Sequence, residues 1–199
     1  MKKIMFNDKY RLTAAVLNGT KTMTRRVIQV KTLEKCGNIG ETALDYAPYK
    51  VGEVVAIAQS RSKIFEELKP KMGGWGDEDE KYLDIWQNTP SWNNKLFVAP
   101  EGCIHHFKIT NIRVERLQDI TEEDCLKEGV KRGNIGYYVD GLYVKDWEKE
   151  SHQETEDGKC VKLFPTAREV FAALIDKVGK KGTWGSNPWV YVYSFEVVD

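Results

Sequence analysis

"WVYVYSFEVV", residues 189–198, is the stretch on which the fold turns. β-branched and aromatic side chains fill it almost without interruption, the composition of a strand buried in a sheet. Two earlier stretches also read as strands. "VGEVVAIAQS", residues 51–60, is apolar and β-branched behind a turn glycine at Gly52. "IHHFKITNIRVERL", residues 104–117, alternates through Ile109, then changes phase near Asn111, which predicts a long strand that is bent or bulged there.

Three helices accompany these strands. "FNDKYRLTAAVLNG" places Tyr10, Ala14 and Leu17 on one side, with Asn7 or Asp8 as cap and Gly19 as terminator. "TEEDCLKEGV", residues 121–130, opens on Thr121 with Asp124 three positions on and closes at Gly129. "TAREVFAALIDKVG", residues 166–179, carries Val170, Leu174 and Val178 at helical spacing and stops at Gly179. Strands and helices do not alternate regularly, so the expected class is α+β with a mixed or antiparallel sheet, curled into a barrel. The whole chain, 1–199, is expected to be one domain with insertions around 61–102 and 131–162. Within the second insertion, Asp140-Gly141 between apolar runs is a hairpin signal.

Thirty basic and thirty acidic residues cancel, which excludes the broad, sequence-blind electrostatic grip of a very basic protein but leaves room for local clusters. An apolar fraction of 41% fits a folded globular chain. The N-terminal segment lacks a signal-peptide core and no stretch has membrane-helix length, so the expectation is a cytoplasmic protein with no membrane partner. Cys36, Cys103, Cys125 and Cys160 form no CxxC pair and are expected to be plain thiols. His105 and His106 are adjacent on a strand and point to opposite faces, and no HExxH or Cys/His cluster occurs, so no metal is expected. Phosphate-cradling and nucleophile-elbow glycine motifs are absent, and no cofactor is expected.

One polar stretch resists a bland reading. "NGTKTMTRRV", residues 18–27, bunches Lys21, Thr24, Arg25 and Arg26 directly after a helix. A solvated edge strand is the simple explanation. The chemical one needs more: a threonine hydroxyl is a weak nucleophile unless a base takes its proton, and a lysine is a base only when desolvation or a second cation lowers its pKa. Arg25 or Arg26 is placed to be that cation, but the stretch holds no carboxylate to complete a proton relay. Trp184 and Trp189 flank "GSNP" before the last strand, either as packing or as rings for stacking a base.

"GTKTMTRR", "VGEVVAI", "ITNIRVERLQDITEEDCLKEGV" and "NPWVYVYSFEV", taken in series, resemble the ASCH family, small PUA-like β-barrel proteins, in its long phage-type form. The resemblance covers about half the chain. One branch of that family is described as N4-acetylcytidine amidohydrolases using a lysine, a threonine and a glutamate. By motif these fall on Lys21, Thr24 and Glu128. The resemblance implies acyl transfer, with Thr24 attacking, Lys21 as base, Glu128 handling the proton, and Arg26 or a backbone N–H at the oxyanion. The convergence of Lys21 and Thr24 requires that the segment bend, since residues three apart on a flat strand face opposite sides. The implied partner is a modified nucleoside or RNA. Arg25, Arg26, Trp184 and Trp189 are expected to bind substrate; the alternatives are a non-catalytic RNA-binding module, with Lys21, Arg25 and Arg26 on phosphates and Trp184 or a tyrosine stacking a base, or a ribonuclease. The insertions have no counterpart in the shorter amidohydrolases.

Overall fold

The computed structural model describes residues 1–36, 41–69, 83–146, 148–155 and 157–198. The acidic residues 77–80, Trp75 and Trp147 lie outside the described residues. The strands are β1 Lys2–Ile4, β2 Met23–Val27, β3 Val54–Ile57, β4 His106–Arg116, β5 Lys131–Arg132, β6 Tyr137–Tyr138, β7 His152–Glu154, β8 Cys160–Lys162 and β9 Trp189–Val197. Helices span Leu12–Leu17, Val30–Lys35, Glu41–Asp45, Arg61–Leu68, Glu122–Lys127, Ala167–Val178 and Thr183–Ser186. The described chain divides into two compact units, one of residues 1–6, 54–108 and 197–199, the other of 7–53 and 109–196.

In the first unit β1 runs parallel to β3, and β3 is antiparallel to the opening residues of β4, with Val55 opposite Phe107. Ala56, Val98 and Cys103 form a small core on which Ile64 of helix Arg61–Leu68 packs. Ser60 caps that helix by accepting from the Lys63 N–H.

In the second unit β4 neighbours β9, and β9 is antiparallel to β2, with Thr24 opposite Tyr193 and Arg26 opposite Tyr191. Val190, Val192 and Tyr193 are wholly buried, so β9 is covered on both faces, as its unbroken apolar run requires. Helix Ala167–Val178 supplies Val170, Phe171 and Leu174 to the core. Each such side chain contributes about 1.5–3 kcal/mol by leaving water.

The class is therefore α+β with a mixed sheet, as the strand and helix patterns predict. The expected barrel does not close among the described strands: β1 pairs only with β3 and β2 only with β9. In β4 the alternation of burial holds from Phe107 to Thr110 and is lost from Asn111, where the sequence changes phase. The first helix differs from expectation. Arg11 takes the left-handed conformation (φ 50°) and splits the segment into a tight turn over Asp8–Tyr10 and the helix Leu12–Leu17. Asn7 caps the turn, while Gly19, at φ 75°, closes the helical segment. Gly141 does occupy a turn (φ 84°), but its flanks pair elsewhere, Tyr138 with Lys131 and Tyr143 with Val161, so no simple hairpin forms there.

Candidate functional site

The polar segment does not belong to the strand for its full length. β2 begins at Met23, and Lys21 lies in the connection before it. The Lys21 N–H donates to the Ala15 carbonyl (2.8 Å) and the Thr22 N–H to the Lys127 carbonyl (2.9 Å), so the connection is tied to the ends of two helices. The connection departs from the strand ahead of Thr24. It turns the Lys21 side chain free of the strand's alternation and along Gly129, whose left-handed conformation (φ 99°) ends helix Glu122–Lys127.

Glu128 caps that same helix. Lys21 Nζ donates to Glu128 Oε2 at 2.5 Å and to the Glu128 carbonyl at 2.8 Å. The two residues are 107 positions apart and only 2% and 4% exposed. The lysine thus serves two anionic demands at once, a carboxylate and a helix-terminal carbonyl. Burial pulls the Lys21 pKa down, the Glu128 charge and hydrogen bond pull it back up, and the nearby Arg26 and Arg25 charges lower it again; the net direction is down.

Arg25 sits on the other face of β2 from Thr24 and Arg26. Its five N–H groups are all engaged. Nη1 donates to Glu128 Oε1 (3.1 Å) and to Met23 Sδ (3.4 Å). Nη2 donates to Asp124 Oδ2 (2.8 Å) and Glu115 Oε1 (2.7 Å), and Nε to Glu115 Oε1 (3.0 Å). Its guanidinium lies 5.9 Å from the Phe171 ring centre. Arg113 closes the network, donating to Glu115 Oε2 (2.8 Å) and to Asp124 Oδ2. Burial opposes the Arg25 charge, but Glu128, Glu115 and Asp124 outweigh it and raise its pKa. Burial likewise pushes Asp124 up, and the hydrogen bond from Arg25 with the Arg113 and Arg25 charges overcomes it, holding the carboxyl below its ordinary value. Arg25 was expected to contact substrate. With every donor committed to protein groups, it is instead the residue that holds one oxygen of Glu128 while Lys21 holds the other.

Arg26 and Thr24 share the opposite face with Tyr191 and Tyr193. Tyr49 meets Tyr193 edge-on at 5.4 Å, and the Arg26 charge acts on both Tyr49 and Tyr193. Burial lowers the Arg26 pKa more than Tyr49, Glu128 and Tyr193 raise it. Thr24 itself is buried at 4% exposure.

Direct bonds therefore bring together Lys21, Arg25 and Glu128, and Arg26 lies within electrostatic reach of Lys21 and Glu128. Thr24 is placed by register on Arg26's face. The two tryptophans pack elsewhere: Trp184 against Phe171 (6.3 Å) with Arg168 over its ring (5.2 Å), and Trp189 beneath Arg116 (4.4 Å). Sequence reading missed Glu115, Arg113, Asp124 and Tyr49. Three of these carried a signal. Asp124 and Glu128 are four apart at the end of one helix, and Arg113 and Glu115 two apart on one strand face.

Cys125, buried in the same helix, has its thiol pushed up to about 12, chiefly by desolvation, and is not a nucleophile at neutral pH. All four cysteines are free thiols. Among the described residues no cluster of His, Cys, Asp and Glu could hold a metal, and no helix is long and apolar enough to cross a membrane. Compared with family models, with curated proteins and with solved structures, the chain matches none.

Proposed function

We propose that the Lys21–Glu128 cluster is the centre of an ASCH-type, PUA-like protein that hydrolyses the amide of an N4-acylated cytidine or a similar modified nucleoside. The observation that carries this reading is the buried 2.5 Å contact between Lys21 Nζ and Glu128 Oε2, which supplies the carboxylate that the Lys-x-x-Thr segment lacks. A lysine beside a carboxylate, with its pKa lowered by burial and two arginines, is a poised base.

In the proposed reaction the Thr24 hydroxyl oxygen adds to the acyl carbon and its proton passes to Lys21. Negative charge gathers on the acyl oxygen, where Arg26 opposes it. The C–N bond breaks as the proton, relayed from Lys21 through Glu128, reaches the departing N4 amine. Water then adds to the acyl-threonine by the reverse roles, freeing the carboxylic acid and restoring Thr24. One amide and one water give one amine and one acid. Arg25 acts only through Glu128, by keeping its carboxylate directed at Lys21.

The test is release of cytidine from N4-acetylcytidine, followed chromatographically. Thr24→Val and Lys21→Met are expected to abolish release while retaining a cooperative thermal transition. Absence of release by the unaltered protein at high concentration sinks the hydrolase reading. A second reading, a module that holds the modified base or RNA without turnover, is favoured by one observation. Lys21 is hydrogen-bonded twice to the same residue, as in a structural clamp. Calorimetric binding of N4-acetylcytidine without release would establish that reading instead.

A further inference from the structure

A cavity of about 520 Å³ lies in the second unit, and none of its lining residues belongs to the Lys21 cluster. Lys9, Lys145, Lys162 and Lys177 line it together with Tyr143 and Phe164. Glu150 is the one carboxylate among the lining residues, and it is already committed. It accepts from Lys162 and from the Lys145 and Asp146 N–H groups (2.8 and 3.3 Å). Among the described residues no carboxylate forms an ion pair with Lys9, Lys145 or Lys177. In a chain whose charges cancel overall, this is a local excess of positive charge over an aromatic floor. Tyr143 is 42% exposed, and the Lys162 ammonium stands 5.3 Å from the Phe164 ring centre.

The walls are built rather than loose. A Cβ on Gly141 would lie 2.3 Å from the Lys9 carbonyl oxygen, so the turn is pressed against the segment that carries Lys9 and only glycine fits there. The Lys162 N–H donates to the Leu142 carbonyl (2.8 Å) and the Val144 N–H to the Cys160 carbonyl (3.3 Å), which fixes the wall bearing Tyr143.

We propose that this cavity binds a small phosphorylated molecule with a planar ring, the chemistry of a nucleoside di- or triphosphate. Its volume falls in the range of small-molecule sites, on the order of 300–1,000 Å³. Lysine ammonium groups are point-charge partners for phosphate. Tyr143 and Phe164 line the cavity with rings against which a planar base can pack, each with a lysine ammonium already over it, Lys159 at 5.9 Å and Lys162 at 5.3 Å. Phosphate here is held by side chains and not by a backbone cradle, so binding weakens steeply as salt rises.

The experiment is calorimetric titration of the full chain with ATP, with GTP and with inorganic triphosphate, at low and at high salt. A nucleoside triphosphate is expected to bind more tightly than inorganic triphosphate. The double variant Lys9→Glu/Lys145→Glu is expected to weaken nucleotide binding by at least about tenfold, equal to about 1.4 kcal/mol. Tyr143→Ala is expected to bring nucleotide affinity down to that of inorganic triphosphate. The control Lys31→Glu/Lys35→Glu, exposed lysines on helix Val30–Lys35, is expected to leave binding unchanged, and circular-dichroism melting checks that every variant folds. The proposal is overturned by undetectable binding at millimolar nucleotide, by equal affinity for inorganic triphosphate, or by equal losses in the control. It is also overturned if a single-stranded oligonucleotide binds far more tightly than the mononucleotides, since the surface would then serve a strand. None of these outcomes depends on amide hydrolysis at Lys21.

Discussion

Arg25 and Arg26 are consecutive on β2, yet the two faces of that strand treat the same side chain in opposite ways. On one face Arg25 meets Glu115, Asp124 and Glu128 and spends every N–H on the protein. On the other, Arg26 lies beside Tyr49 and Tyr193, whose polarity does not offset its burial. The pKa directions record the contrast, up for Arg25 and down for Arg26. A fully coordinated arginine is a structural part, because no donor is left for a substrate. An arginine whose pKa burial pulls down is stabilised when negative charge develops beside it. Lys21 shares the downward pKa direction of Arg26 although it is paired with Glu128, and the Glu128 charge acts on both.

The strongest challenge to this picture is Glu128→Gln. It leaves Lys21 and Arg25 as buried cations with one anion fewer, and the expected loss is about 3–5 kcal/mol in urea denaturation. A loss below about 1 kcal/mol would mean that the network does not depend on Glu128. Next comes the pair Arg25→Met and Arg26→Met. The first removes the cation that three carboxylates share, leaving Glu115 and Asp124 to Arg113 and Glu128 to Lys21, and is expected to cost about 3 kcal/mol; the second is expected to stay within about 1 kcal/mol, because it removes a charge that burial disfavours. Equal losses would erase the distinction between the faces.

A smaller effect appears in the pH dependence of the urea midpoint. Lys21 has a folded pKa below its ordinary 10.5, so in the window between the two values the unfolded chain binds a proton that the folded chain does not. Stability then rises with pH across that window, by at most about 1.4 kcal/mol per pH unit, and Lys21→Met is expected to remove the rise. Asp124 works in the opposite range. Its folded pKa lies below its ordinary 3.8, so its contribution is present above that value and is lost as pH falls through the folded one. Asp124→Asn is expected to flatten this acid limb, and an unchanged limb would remove Asp124 from the network's account. The smallest effect is expected at Trp189→Leu. It removes the stacking of Arg116 and costs about 0.5–1 kcal/mol, with no change in any reaction at Lys21. A change there would return Trp189 to the site.

Much of this was legible in the residues. Thr121 caps its helix as its sequence suggests, and Gly19 and Gly129 take the left-handed conformations expected of terminators. β9 is as buried as its run of valines and aromatics demands. What misled was local pattern read without partners. Asp140-Gly141 makes a turn, but strand pairing beyond it is chosen by tertiary competition. Tyr10 and Leu17 have helical spacing, but the left-handed Arg11 divides the segment. Two arginines in a polar run looked alike because the sequence shows composition and not which face each residue takes.

A family resemblance put Lys21, Thr24 and Glu128 forward; by itself, the sequence determined the elements, where helices cap and stop and which stretches form strands. Short-range physics governs those features, hydrogen bonds and side-chain period acting over a few residues. Only the tertiary structure decided that Lys21 meets Glu128 across 107 positions, and that Glu115, Asp124 and Arg113 claim Arg25. Those outcomes rest on the desolvation of charges, and a buried charge is stable only beside the partner that folding brings to it.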